Sequence, residues 1–140
     1  MATHNTIGKS GEEYAEKILR QKGYNIDAKN WRLGHLEIDI VASNKEYIVF
    51  VEVKTRTSTF GMHNPEEYVD KPKRSRMVIA ANAYIKYYKV DKKPRFDIIG
   101  LLMNPITENI EQCNHLENAF SPPLRTISSA SYSGRWKKYR

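Results

Sequence analysis

The sequence predicts an α/β protein, a mixed sheet covered by helices in the order αβββαββ, and three observations carry that prediction. Residues 8–22 and about 70–89 place apolar side chains at helical spacing. Two apolar runs, 36–42 and 47–55, flank the polar turn Ser43-Asn44-Lys45-Glu46 as the arms of a hairpin would. Further strand-like runs at 24–29, 95–103 and 108–114 supply the rest of a sheet.

Taken in order, residues 8–22 (GKSGEEYAEKILRQK) predict a helix with Ser10 as N-cap and Gly23 as the C′ stop. Its buried face is expected to be Tyr14, Ala15, Ile18 and Leu19. Glu13–Lys17 and Glu16–Arg20 are (i, i+4) pairs on the solvated side, and Glu12 falls beside Leu19 at the apolar edge. The run YNIDAK (24–29) alternates as a short strand. LEIDIVA (36–42) and YIVFVEVKT (47–55) read as antiparallel neighbours. After a loop through Gly61 and Pro65, the second helix starts near Asp70, with Pro72 tolerated in its first turn. Met77, Ala81, Tyr84, Ile85 and Tyr88 form its apolar stripe. RFDIIGLLM (95–103) is a strand, and ENIEQCN (108–114) a weaker one.

At 140 residues the chain is long enough to bury a core without disulfides, and its single cysteine, Cys113, could form none internally. No run approaches the length of a membrane span and the first ten residues lack the apolar core of a secretory signal, so the expected compartment is the cytoplasm. The net charge of +7 points to an anionic partner. Its distribution is uneven. Residues 1–120, expected to be one domain, hold 18 Lys and Arg against 16 Asp and Glu, whereas 121–140 hold five basic residues and no acid. That segment reads as a flexible basic tail. Either it binds nucleic acid, with Tyr132, Trp136 and Tyr139 stacking on bases, or it only solubilises.

The chemistry is expected within the hairpin, EIDIVASNKEYIVFVEVKTR (37–56), where acids interrupt buried strands. Alternation puts Glu52 and Lys54 on one face of their strand. On its neighbour it puts Glu37 and Asp39 opposite Leu36, Ile38 and Ile40. A hairpin loop of four or five residues brings Asp39 within a residue or two of Glu52. Two carboxylates so placed raise each other's pKa unless a cation lies between them. Asp39, Glu52 and the Val53 carbonyl are hard oxygen donors suited to Mg²⁺ or Mn²⁺. Lys54 would then orient or deprotonate the attacking water, or neutralise charge developing on a phosphate. Glu-x-Lys on a strand also describes a solvated face with cross-strand ion pairs. The apolar settings IVFVEV and IDIV favour the metal site instead.

D-x(12)-E-V-K across a hairpin, preceded by a helical glutamate, resembles the PD-(D/E)-x-K nuclease superfamily. The likeness is greatest to archaeal Holliday-junction resolvases and to the bacterial YraN-like family of predicted endonucleases. It is carried by GEEYA (Gly11–Ala15), NWRLGHLEIDIVA (Asn30–Ala42), IVFVEVKTR (Ile48–Arg56), V-x(3)-K-x(2)-R (Val69–Arg76), AANAYI (Ala80–Ile85) and RFDII (Arg95–Ile99). The resemblance implies a restriction-endonuclease-like core, with Glu12 a helical acid supporting the metal, Asp39 and Glu52 its ligands, and Lys54 the catalytic lysine. In place of the usual Gly-Glu-Ile-Asp, His35 and Leu36 intervene between Gly34 and Glu37 here, so Glu37 is an alternative ligand or a surface acid. It also implies DNA as partner and, by analogy with resolvases, a homodimer.

Asn30 and Arg32, with Trp31, precede the Asp39 strand and are expected at the rim of the site, and Arg56 ends the Glu52 strand; all could contact phosphates. Lys71, Lys73, Arg74 and Arg76 crowd the start of the second helix against its dipole. An anion held there, chiefly by Lys73 and Arg76, would resolve that conflict, as would the acids Glu66, Glu67 and Asp70 just upstream. His35, His63 and His115 read as loop or core histidines, Cys113 as buried filler, and Asp97 as a structural acid paired with Arg95 or a core lysine. Two rivals to an endonuclease remain: a catalytically silent or partner-dependent nucleic-acid-binding module, and a factor docking on a DNA-processing protein.

Overall fold

A computed structural model describes residues 4–57 and 69–122, with side chains from residue 7. The expected loop through Gly61 and Pro65, with His63, Glu66 and Glu67, lies outside the described residues, as does the basic tail from residue 123. The elements run α1 (His4–Gln21), β1 (Asn25–Leu33), β2 (Leu36–Ser43), β3 (Tyr47–Thr57), α2 (Lys71–Tyr88), β4 (Lys93–Met103) and β5 (Ile110–Phe120). This is the expected αβββαββ order, consistent with a restriction-endonuclease-like core.

The five strands form one sheet in sequence order, antiparallel except where α2 carries the chain from β3 to a parallel β4. One helix covers each face. Ala15 and Leu19 of α1 pack on Ile40, Ala42, Val49, Val51, Ile99 and Leu101. Met77, Ala81, Tyr84 and Ile85 of α2 pack on Ile38, Val41, Ile48, Phe50, Phe96 and Ile98. Phe50, Phe96 and Tyr84 meet ring to ring at this second core.

Local signals explain most boundaries. Gly23 (φ 94°) closes α1: its amide bonds Arg20 and the Tyr24 amide bonds Leu19, a Schellman end that a left-handed residue permits. Asp70 caps α2 by accepting the Lys73 amide at 3.0 Å. Asn44 Oδ1 takes the amides of Glu46 and Tyr47 and so shapes the β2–β3 turn.

Several expectations are corrected. Ser10 caps nothing, since α1 begins at His4. Tyr14 is exposed, because its position on the wheel faces away from the Ala15–Leu19 seam. Gly11 joins that seam instead: a Cβ there would overlap Thr55 Oγ1, so only glycine lets α1 lie this close to β3. In α2 Tyr88 is half exposed, while Val78, Ala80 and Asn82 are buried beside the expected stripe. Strand β5 runs six residues beyond the expected 114.

A candidate acidic metal site where two strands part

Strands β2 and β3 pair over only four residues each, from Ser43↔Ile48 to Ile40↔Val51. One step further the register sets Asp39 opposite Glu52, and there the strands separate. Asp39 Oδ2 accepts the Val53 amide at 2.9 Å, its side chain standing where a main-chain acceptor would continue the ladder. An extended residue turns its amide and carbonyl to the same strand edge, so the Val53 carbonyl also faces Asp39.

The same point breaks both strands of the outer hairpin. Ile38 packs with the α2 core and Ile40 with the α1 core, so the expected common face for Leu36, Ile38 and Ile40 is wrong. Across from it, Asn30 has φ 51° and drops out of the β1–β2 pairing between Lys29↔Ile40 and Trp31↔Ile38. A left-handed residue rotates β1 locally, which asparagine tolerates better than most. Asp39 thereby comes within reach of groups on both sides of the sheet. Glu12, from α1, feels its charge and hydrogen-bonds the Asn30 side chain. Glu52, which alternation directs to the α2 side, hydrogen-bonds Asp39 directly.

Electrostatics make this cluster unusual. Two unit charges about 4 Å apart repel by about 4 kcal/mol at an effective dielectric of about 20. Burial, followed by the Asp39 charge, pushes Glu52 up to about 8. Burial also raises Asp39, although the Val53 amide, the hydrogen bond with Glu52 and the Lys73 charge pull the other way. Glu12 is raised by burial and by Asp39, with its Asn30 hydrogen bond opposing. Three acids with raised pKa values thus gather around buried Glu52, which makes the cluster a candidate functional site.

The other expected site residues are distributed as follows. Lys54 and Arg56 follow Glu52 on the same face of β3, both half-buried. Glu37 lies 3.6 Å from exposed Arg32, on the β1–β2 hairpin, and its charge reaches Asp39 and Glu12. Asn30, Trp31 and Arg32 belong to β1, the strand before that of Asp39; Trp31 packs edge-on to Tyr84 at 5.3 Å. Asn30 is engaged with Glu12. Lys73 turns inward, its ammonium 3.3 Å from Glu52 Oε2, while Arg76 is exposed. Arg74 bonds the Val69 carbonyl and covers the Phe120 ring.

A second network lies toward the other end of β4. Asp97 is fully buried and accepts Arg95 through Nε at 2.9 Å and Nη2 at 2.8 Å, the Asn118 amide at 3.0 Å, and His115 Nε2 at 2.8 Å. Lys22 has only donors to offer His115 Nδ1 at 2.8 Å, which leaves the Nε2 hydrogen for Asp97. Burial works to raise Asp97, but the hydrogen bonds from His115, Arg95 and the Asn118 amide outweigh it and hold the carboxyl below its ordinary value. Asp97 is structural, as expected. His115, expected in a loop or in the core, lies in β5 with its side chain buried. Sequence reasoning missed that partnership, and no local signal marks it.

Whether the donors fit a dication is decided by their chemistry. Among the described residues no group of three or more His, Cys, Asp and Glu converges as a metal cage. One buried and one half-buried carboxylate with a main-chain carbonyl are, however, what Mg²⁺ takes, since it keeps several waters and needs few protein ligands. The donor set fits Mg²⁺ or Mn²⁺ and lacks the nitrogen and sulfur that zinc prefers.

An α/β protein with a mixed five-stranded sheet between two helices is consistent with the restriction-endonuclease-like class of folds. Residues 11–101 match the Uncharacterised protein family UPF0102. The chain is 48% identical to a UPF0102 protein of Bacteroides thetaiotaomicron over 89% of its own length and 99% of the relative's. It is 46% identical to one of Porphyromonas gingivalis, covering 86% of this chain and 87% of that one. A UPF0102 protein of Caldanaerobacter subterraneus is 45% identical over 82% and 94% of the two chains. The chain belongs to the UPF0102 family.

Proposed function

We propose that this protein is a Mg²⁺- or Mn²⁺-dependent endonuclease that hydrolyses DNA phosphodiester bonds, with branched or junction DNA as the preferred substrate class. The observation that carries the reading is the hydrogen-bonded pair of half-buried Asp39 and buried Glu52 at the point where β2 and β3 part. On this reading Asp39, Glu52 and the Val53 carbonyl hold the dication, and Glu12, oriented by Asn30, supports it. Glu37 is tied to Arg32 and stays at the margin. Bound there, the ion supplies Lewis acidity to the scissile phosphate and to water.

The protein's own groups do the rest. Asp39 is fixed by the Val53 amide, so its carboxylate cannot swing away from the site. Lys54, next along the Glu52 face, offers an ammonium that orients the attacking water or receives charge from the phosphoryl oxygens. Arg32, Arg56 and Arg76 hold flanking phosphates. Cutting both strands of a junction calls for a second copy of the chain. No helix among the described residues is long and apolar enough to cross a membrane.

Purified protein should cleave labelled duplex, flap or four-way DNA with Mg²⁺ or Mn²⁺, and Asp39→Ala and Glu52→Ala should abolish cleavage while remaining folded. Cleavage of none of these substrates by the wild-type protein would defeat the enzyme reading. One observation favours a second reading: Lys73 already gives Glu52 a cation. A nucleic-acid-binding module without catalysis would bind DNA in a salt-sensitive way and show no Mn²⁺ binding.

A further inference from the structure

Lys73 is the cation whose placement the proposed reaction leaves unexplained. Its main chain is pinned in the first turn of α2, where Asp70 accepts its amide at 3.0 Å. Its ammonium reaches 3.3 Å from Glu52 Oε2, and its charge acts on Asp39 as well. The Glu52 side chain is 8% exposed and that of Lys73 36%, so the lysine stands at the mouth of the site with solvent beside it. Its neighbours on the helix do not share this position: Arg74 is spent on the Val69 carbonyl and the Phe120 ring, and Lys71 and Arg76 are exposed.

An ammonium and a hard dication seek the same carboxylate oxygens, and at such range they repel each other. Only one of them is anchored elsewhere by a flexible stem and can leave. We propose that Lys73 is a displaceable internal counterion: it satisfies the acidic site while no dication is present, and a dication entering between Asp39 and Glu52 drives it out to take a phosphate oxygen of the nucleic acid. This rests on the reading of Asp39 and Glu52 as dication ligands. It makes dication and phosphodiester binding mutually reinforcing, because the first frees a ligand for the second. Lys73 is thus a positioning residue with two partners, and the expected phosphate contact belongs to the metal-loaded form.

The test is calorimetric titration of the full chain with Mn²⁺, comparing wild type with Lys73→Met and Lys73→Arg. Lys73→Met, with no cation to displace, should bind Mn²⁺ about fivefold more tightly or better, a gain of about 1 kcal/mol. Lys73→Arg should stay near wild type. A second measurement needs no variant: acetic anhydride labelling of the wild type, read by mass spectrometry, should rise at Lys73 when Mn²⁺ is added. Labelling at Lys29 and Lys93, paired with Glu16 and Glu46, should not change. If wild type binds Mn²⁺ while Lys73→Met gains nothing and Lys73 labelling stays constant, the counterion role is wrong and the metal site stands. If neither protein binds Mn²⁺, both fall. Should Lys73→Met fail to fold, the labelling experiment decides alone.

Discussion

The Asp39 carboxylate bonds the Val53 amide at 2.9 Å, one residue past the last main-chain pair between β2 and β3. A side chain that replaces a ladder acceptor both ends the pairing and fixes the direction of the acid. Asp39→Asn keeps an oxygen for the Val53 amide but removes the charge. It should retain the fold in circular dichroism and lose Mn²⁺ binding in calorimetry. Asp39→Ala should in addition cost about 1–3 kcal/mol in urea denaturation, because the Val53 amide loses its acceptor.

Glu52 sets the pH dependence of the dication-free protein. Its folded-state value, about 8, exceeds the ordinary 4.5. Between those values the folded chain holds a proton that the unfolded chain has released, so stability falls as pH rises through that window. Differential scanning calorimetry should find Tm declining between about pH 5 and pH 8 as stability falls by on the order of a few kcal/mol at most. Glu52→Gln should flatten the decline. Saturating Mg²⁺ should oppose it, since a dication binds the deprotonated pair.

Gly11 sets how closely α1 approaches the sheet, and with it the position of Glu12. Gly11→Ala would drive a methyl group into Thr55 Oγ1. The expected loss is about 1–3 kcal/mol from overpacking, despite the better helix propensity of alanine. Thr55→Ala should recover part of that loss. A double-mutant cycle in urea should return a coupling of at least about 0.5 kcal/mol between the two positions.

Asp97 tests whether the two charged networks are independent. Asp97→Ala strands Arg95, whose side chain is 11% exposed, with the Tyr24 hydroxyl as its remaining short hydrogen bond at 2.6 Å. The expected cost is about 3–5 kcal/mol. Mn²⁺ affinity of the folded fraction should be unchanged. In the wild type the lowered Asp97 contributes stability above the ordinary carboxylate value, and that contribution is lost as pH falls through its folded value. This window lies on the acid side of the Glu52 one.

The order of elements and the Asp39–Glu52 approach were legible in the sequence because both are local. Hairpin length fixes which residues face each other, and periodicity separates strand from helix. Local rules could not place the contacts that cross the chain. Lys73 reaches Glu52 only through the α2 crossover, and the Lys22–His115 contact joins residues 93 apart. Strict alternation misassigned Ile38 and Ile40 because it has no means of anticipating a left-handed Asn30 on the neighbouring strand. That break is what opens the site.

The central claim is tested most directly by crystals grown with millimolar Mn²⁺ and measured at a wavelength where manganese scatters anomalously. The account predicts one strong anomalous peak between the Asp39 and Glu52 carboxylates, beside the Val53 carbonyl, with the Lys73 ammonium moved away from Glu52. No peak, with Asp39 still hydrogen-bonded to Glu52 and Lys73 still on its carboxylate, would contradict it.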